Sequence, residues 1–143
     1  MSVFNDEEKL KIQKAIQKAE KHTSGQIRVC IEKTCNDNVL DRATKYFYQL
    51  NMDKTKLRHG VLIYVATVDR KFAIIGDAGI NKVVTETFWD DTKTAMLQHF
   101  KYGEIVNGIL SGIEIAGQQL HLFFPIKHHV NELPNVITFM DDK

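Results

Sequence analysis

Two short unbroken apolar runs stand out against the longer polar-apolar stripes of this chain. They cover residues 61–66 and 72–75 and flank a polar stretch at 67–71. Each is continuous rather than alternating, which predicts strands buried on both faces. The short polar break between them predicts an antiparallel hairpin. The second run leads into Gly76, Asp77, Ala78 and Gly79, a strand-to-helix turn carrying a carboxylate. Upstream, residues 26–33 alternate, with Ile27, Val29 and Ile31 on one side and Arg28, Cys30 and Glu32 on the other. That predicts a strand with one less buried face, near a sheet edge, its Arg28 and Glu32 solvated or paired along the strand.

Helical spacing accounts for most of the remainder. Asn5 followed by Glu8 forms an Asn variant of the capping box, and Ile12, Ala15, Ile16 and Ala19 make one apolar stripe. Ser24 and Gly25 end that helix. Asn36, Asp37 and Asn38 are turn and cap material for a second helix with Leu40, Ala43, Phe47 and Leu50 on its inner face. Residues 52–59 read as a charged, exposed linker. A helix between strand 26–33 and the first hairpin strand makes a β-α-β unit, which favours parallel pairing.

Past the hairpin, Ile80, Val83 and Val84 suggest a short helix. Thr87 is placed to cap the next one, with Asp90 at its third position and Trp89, Met96 and Phe100 turned inward. Tyr102 and Gly103 break it. A long helix over about 104–123 carries Ile105, Ile109, Ile113, Ala116 and Leu120, and also Gly108, Gly112 and Gly117. Interior glycines cost ~1 kcal/mol each against Ala, so several in one helix imply close packing against another element. Residues 136–139 are a candidate short strand.

At 143 residues, 43% hydrophobic and 26% charged, the chain suits one globular domain, read as residues 1–125 with a C-terminal extension at 126–143. Nineteen basic and 18 acidic residues leave a net charge of +1, which excludes an electrostatic nucleic-acid surface. Absence of an apolar leader or spanning segment gives the expectation of a cytoplasmic protein with no membrane partner. Cys30 and Cys35 are expected as free thiols, with no second pair to complete a zinc site. His128 and His129 show no metal-ligand spacing, Ser24 and Ser111 lie in no nucleophile elbow, and Asp69–Arg70 reads as a solvated turn.

The series Ser24-Gly25-Gln26-Ile27-Arg28-Val29, Leu40-Asp41-Arg42-Ala43, Gly60-Val61-Leu62-Ile63-Tyr64-Val65-Ala66, Asp69-Arg70, Ile75-Gly76-Asp77-Ala78-Gly79-Ile80 and Phe88-Trp89-Asp90, with the Gly-punctuated last helix, resembles the TPM domain (TPM phosphatase) family. Order and spacing carry the likeness. It implies a three-layer α/β/α sandwich, with helices on both faces of a small mixed sheet of three to four strands. It also implies divalent-metal binding, calcium foremost, or weak acid phosphatase activity. The family's carboxylates map onto Asp77 and, less directly, Asp90 and Asp91. Where many members have an aromatic-Gly-Leu-Glu turn, this chain has Asp77-Ala78-Gly79-Ile80, so the family glutamate is absent.

Three acids of this kind suit the hard-oxygen chemistry of Ca2+ or Mg2+. As plain structure, Asp77 holds its own turn and Asp90 and Asp91 serve a helix start. Three functions therefore stand open. One is a metal-binding domain, another a weak metal-assisted phosphomonoesterase. The third is a protein-partner module using aliphatic residues of 126–139 that have no periodic place in a core.

Overall fold

The computed structural model describes residues 3–126, 133, 135 and 137–141. Its centre is a parallel pair. Strand β1 (Gln26–Glu32) runs beside β2 (Gly60–Ala66) in register from Gln26–Gly60 to Glu32–Ala66, joined through helix α2 (Val39–Gln49). Strand β3 (Lys71–Gly76) returns antiparallel to β2 as the hairpin pattern predicts. The sheet order is β3-β2-β1-β4, where β4 is the two-residue Thr138–Phe139, parallel to β1. The β-α-β unit, the hairpin and the terminal strand together give the mixed sheet.

Strand β1 is therefore interior, not at an edge. Both its faces are covered: Ile27, Val29 and Ile31 on one side, Cys30 and Glu32 on the other. Arg28 and Glu32 do not pair. The Arg28 Nε donates to the Thr138 hydroxyl at 3.0 Å, while Glu32 accepts from Arg42 and two tyrosines.

Helices flank the sheet on both faces. On one lie α1 (Asp6–Glu20), α4 (Asp90–Phe100) and α5 (Ile105–Phe123), whose Ile12, Ile16, Met96, Ile109, Ile113 and Leu120 meet the sheet's Ile27, Ile63 and Val65. On the other, Ala43, Tyr46 and Phe47 of α2 cover Cys30, Leu62 and Tyr64. Leu40 is 51% exposed, so the inner stripe of α2 is shifted one residue earlier than its hydrophobic spacing suggests, with Val39 and Tyr46 turned in. Residues 52–59 are not wholly exposed either. Met52, in a single 3-10 turn at Met52–Lys54, has no accessible surface, and Thr55 is buried.

Local signals fix several boundaries. The Asn5–Glu8 box closes in both directions, at 2.8 and 2.9 Å, and Asn38 accepts from Leu40 and Asp41 N–H. The short helix α3 (Ala78–Asn81) buries Ile80 but leaves Val83 58% exposed. Thr87 is not the cap of α4. Its hydroxyl meets that of Thr85, its carbonyl accepts from Asp90 N–H, and Asp90 stands at the first helical position rather than the third.

The glycines of α5 do mark close approach. A Cβ on Gly108 would meet the Phe100 ring, one on Gly112 the Met96 thioether, and one on Gly117 the Cβ of Ala19 at 2.7 Å. Tail residues also enter the core: Ile137 and Phe139 pack on the α1 face, Leu133 and Met140 on the α2 face. These described tail residues therefore have places in the core that no period in the sequence marks. His128 and His129 lie outside the described residues. Cys30 and Cys35 are free and buried, and burial pushes the Cys30 thiol up to about 12.

Candidate functional site

Asp77 ends β3, where its N–H donates to the Gly60 carbonyl at 2.9 Å and so extends the hairpin ladder by one rung. Its side chain then turns into the N-cap of α3, Oδ1 accepting from Ala78 N–H at 2.7 Å. Both carboxylate oxygens also accept from one guanidinium: Arg58 Nε reaches Oδ2 at 2.6 Å and Nη2 reaches Oδ1 at 2.8 Å. Bidentate, charge-assisted pairing of this sort fixes geometry as well as charge. The Asp77 side chain is 3% exposed, against 42% for Arg58. Donating to the Asp77 carboxylate raises the Arg58 pKa above its usual value.

Asp77 therefore does not stand open at a rim. Asp90 and Asp91 are exposed in the first turn of α4. Among the described residues, no group of three or more His, Cys, Asp or Glu side chains is arranged to hold a metal ion. As the side chains stand, a guanidinium holds the position a cation would take on Asp77, so the donor set of a preformed metal site is not assembled. Nor does the turn lie at the favoured end of the sheet. Ligands collect at the carboxyl ends of parallel strands. Because β3 runs against β1 and β2, its carboxyl end is their amino end.

The same rim brings in two side chains that composition and spacing do not single out. Ser24 Oγ lies 2.6 Å from His59 Nδ1, and the His59 ring packs on Phe124 with centroids 4.4 Å apart. Burial lowers the His59 pKa, opposed by the charge of Asp77, so the imidazole is the neutral partner at neutral pH. With its proton on Nε2, it accepts from the serine hydroxyl through Nδ1. The placement follows from parallel pairing. Gln26 N–H donates to the His59 carbonyl, which sets the residues before β1 beside those before β2.

At the opposite end of the sheet, Glu32 is buried with three donors: Arg42 Nη1 at 2.7 Å, Tyr46 OH at 2.6 Å and Tyr64 OH at 2.7 Å. Burial and the hydrogen bond to Glu32 push the Tyr46 phenol up to about 12 and raise that of Tyr64 as well. The cluster is saturated and ties α2 to β1 and β2. Nearby, Asp69 accepts from Cys35 N–H at 2.7 Å, a structural use of the hairpin turn. A groove of about 540 Å3 lies between α1 and α5 and a cavity of about 280 Å3 lies beside the hairpin turn. Neither is lined by Asp77, Asp90 or Asp91.

Comparison with known proteins agrees with this architecture. The sequence profile of the TPM domain, labelled TPM phosphatase, matches residues 1–119. Among solved structures, the BA42 protein of the psychrophilic bacterium Bizionia argentinensis is 49% identical, with a TM-score of 0.91 over 96% of each chain. The N-terminal domain of a protein from P. gingivalis aligns at a TM-score of 0.73 and 14% identity over 92% of this chain and 83% of that one. The N-terminal domain of the cg2496 protein of Corynebacterium glutamicum gives 0.67 and 14% over 82% and 74%. The last two are likenesses of fold. A search of curated proteins finds no significant match. No helix among the described residues is long and apolar enough to cross a membrane.

Proposed function

The chain belongs to the TPM domain family, and on that premise we propose that it is a binding domain whose β3–α3 turn takes a divalent cation, calcium foremost, in competition with its own Arg58. The observation that carries this reading is the bidentate Arg58–Asp77 pair, a buried carboxylate neutralised by a half-exposed and tethered cation. Arg58 sits at φ 60° in a loop, so its side chain can leave without opening either core. The start of α4 is close by: a Cβ on Gly76 would be 3.4 Å from the Trp89 ring. Asp90 and Asp91 open that helix, and carboxylate oxygens are what Ca2+ prefers.

Backbone NMR titration with Ca2+, and with Mg2+ in parallel, tests the proposal. The expected result is weak binding by the wild-type protein, felt by amides of residues 58–60 and 76–79. Binding tightens in Arg58→Asn, a residue that tolerates positive φ, and is lost in Asp77→Asn. No response in Arg58→Asn, or an undiminished one in Asp77→Asn, would remove the cation from this turn.

The Ser24–His59 hydrogen bond favours a second reading, slow hydrolysis of small phosphate or acyl esters with Ser24 as nucleophile and His59 as its base. Since His59 must be neutral to accept the proton, such activity falls at acid pH. Highly purified protein should then hydrolyse p-nitrophenyl esters faster at neutral than at acid pH, and Ser24→Ala should abolish the difference. Equal rates for the wild type and Ser24→Ala would end this reading.

A further inference from the structure

The carboxyl end of β2 and the hairpin turn hold a second concavity, on the face covered by α4 and α5. It encloses about 280 Å3. Its floor is apolar, with Val65, Phe72 and Phe100 among its lining residues, and the two aromatic rings meet edge to face at 5.2 Å. Three cations, Arg70, Lys71 and Lys101, complete the lining, and no acidic residue contributes to it. In a chain of net charge +1 this is a local excess of positive charge.

Nearby carboxylates are turned to other partners. Asp69 accepts from Cys35 N–H, and Glu104 lies 2.9 Å from His99 Nδ1. Lys71 Nζ donates to the Cys35 carbonyl at 3.0 Å. Among the described residues, Arg70 and Lys101 form no ion pair, and the Lys101 ammonium rests on the Tyr102 ring, 5.3 Å from its centroid. Unlike the turn at Asp77, this cavity does lie at the carboxyl ends of the parallel strands, where open α/β sheets collect ligands. Its size is just below the ~300–1,000 Å3 usual for drug-sized ligands, which suits a smaller molecule, and such pockets are mostly apolar with a few placed polar groups.

We propose that this cavity binds a small amphipathic anion: an aromatic or branched aliphatic body seated on Val65, Phe72 and Phe100, with a single anionic head at Arg70 and Lys101. The planar guanidinium of Arg70 suits a two-oxygen head, and the apolar floor rejects a bare inorganic ion. A carboxylate and a phosphate monoester share this chemistry. The site is separate from Arg58 and Asp77, so it stands whatever becomes of the cation proposal.

NMR titration of the full chain with 3-phenylpropionate, 3-phenylpropionamide, phenyl phosphate and acetate tests it. Saturable shifts are expected in residues 65–72 and 97–105 with phenylpropionate or phenyl phosphate, the tighter of the two naming the head group. The neutral amide should bind at least about tenfold more weakly, acetate should give no saturable shift, and added salt should weaken binding by the acids. The combined variant Arg70→Asn, Lys101→Gln should lose about tenfold or more in affinity. Both side chains are exposed, and Asn accepts the positive φ of position 70, so the variant's spectrum reports that it is folded. Equal binding of acid and amide, shifts confined to other regions, or full affinity in the folded double variant would overturn the assignment.

Discussion

Replacing Gly117 by Ala sets two effects of known size against each other. In a helix interior Ala is favoured over Gly by ~1 kcal/mol, so on an open face the change would stabilise. Here the new Cβ would lie 2.7 Å from Ala19 Cβ, 3.1 Å from Ala19 Cα and 3.3 Å from the Ala19 carbonyl oxygen. Carbon atoms sit comfortably at ~3.5–4.0 Å, and the obstacle is largely backbone, so α1 and α5 must move apart by up to about 1 Å along their shared seam. Overpacking of that kind costs ~1–3 kcal/mol, leaving a net loss of up to about 2 kcal/mol after the propensity gain of ~1 kcal/mol. For a chain of this length the upper figure lowers Tm by roughly 4–8 °C. Gly112→Ala in the same helix is the control. Its three nearest contacts are the Sδ, Cγ and Cε of Met96, a flexible side chain rather than backbone, so its loss should be smaller than that of Gly117→Ala. Urea melts of Gly117→Ala, Ala19→Gly and the double variant give the coupling, and Ala19→Gly should relieve the part of the loss due to the Ala19 Cβ, the nearest of the three contacts. If Gly117→Ala is more stable than the wild type by the ~1 kcal/mol expected on an open face, the close seating of α1 on α5 is wrong.

Three further outcomes can be measured. Glu20 accepts from Ile27 N–H at 2.6 Å, and burial raises its carboxyl to about 8 from an ordinary 4.5. The folded state then holds a proton the unfolded state has released, so stability falls as pH rises from about 4.5 to about 8. Glu20→Gln should flatten that decline in urea melts run across the range, and an equally steep profile in the variant would absolve Glu20. Tyr64→Phe keeps the ring but takes one of three donors from buried Glu32, for an expected loss of ~1–3 kcal/mol in chemical denaturation. A change under about 0.5 kcal/mol would mean that Glu32 is not dependent on that phenol. Asn38→Ala removes the acceptor for two N–H groups of α2 and should cost ~1 kcal/mol, read from the same melts.

Periodicity made the architecture legible because burial decides it. Unbroken apolar runs can only be doubly covered strands, and the β-α-β spacing implies the parallel pair. Edges and ends were harder. Strand β1 alternates in sequence yet is central, because Glu32 is buried by satisfying it with an arginine and two phenols rather than by being apolar. No period records that solution. Helix α4 has a cap signal in Thr87 that the chain does not use, since the turn before it is held by the Thr87 carbonyl instead. At the candidate site, Asp77 was visible as a carboxylate beside glycines, but its partner was not. Arg58 lies 19 residues away in what reads as linker. Ser24 and His59 become neighbours only through the register of two parallel strands. Register is set by whole-strand packing, which no short stretch of sequence carries.

Strand β4 is two residues long, yet it is the outer neighbour of β1, and Met140 N–H and the Asp141 carboxylate add bonds to Ile31 and Lys33 beside it. Its partners are more than a hundred positions earlier in the chain. Stripped of residues 137–141, β1 would offer bare N–H and C=O groups to whatever strand came next, including the same strand of another molecule. A few late residues thus act as a guard against self-assembly, and shortening the chain there should show first as particles that grow with concentration, before any loss of helix content.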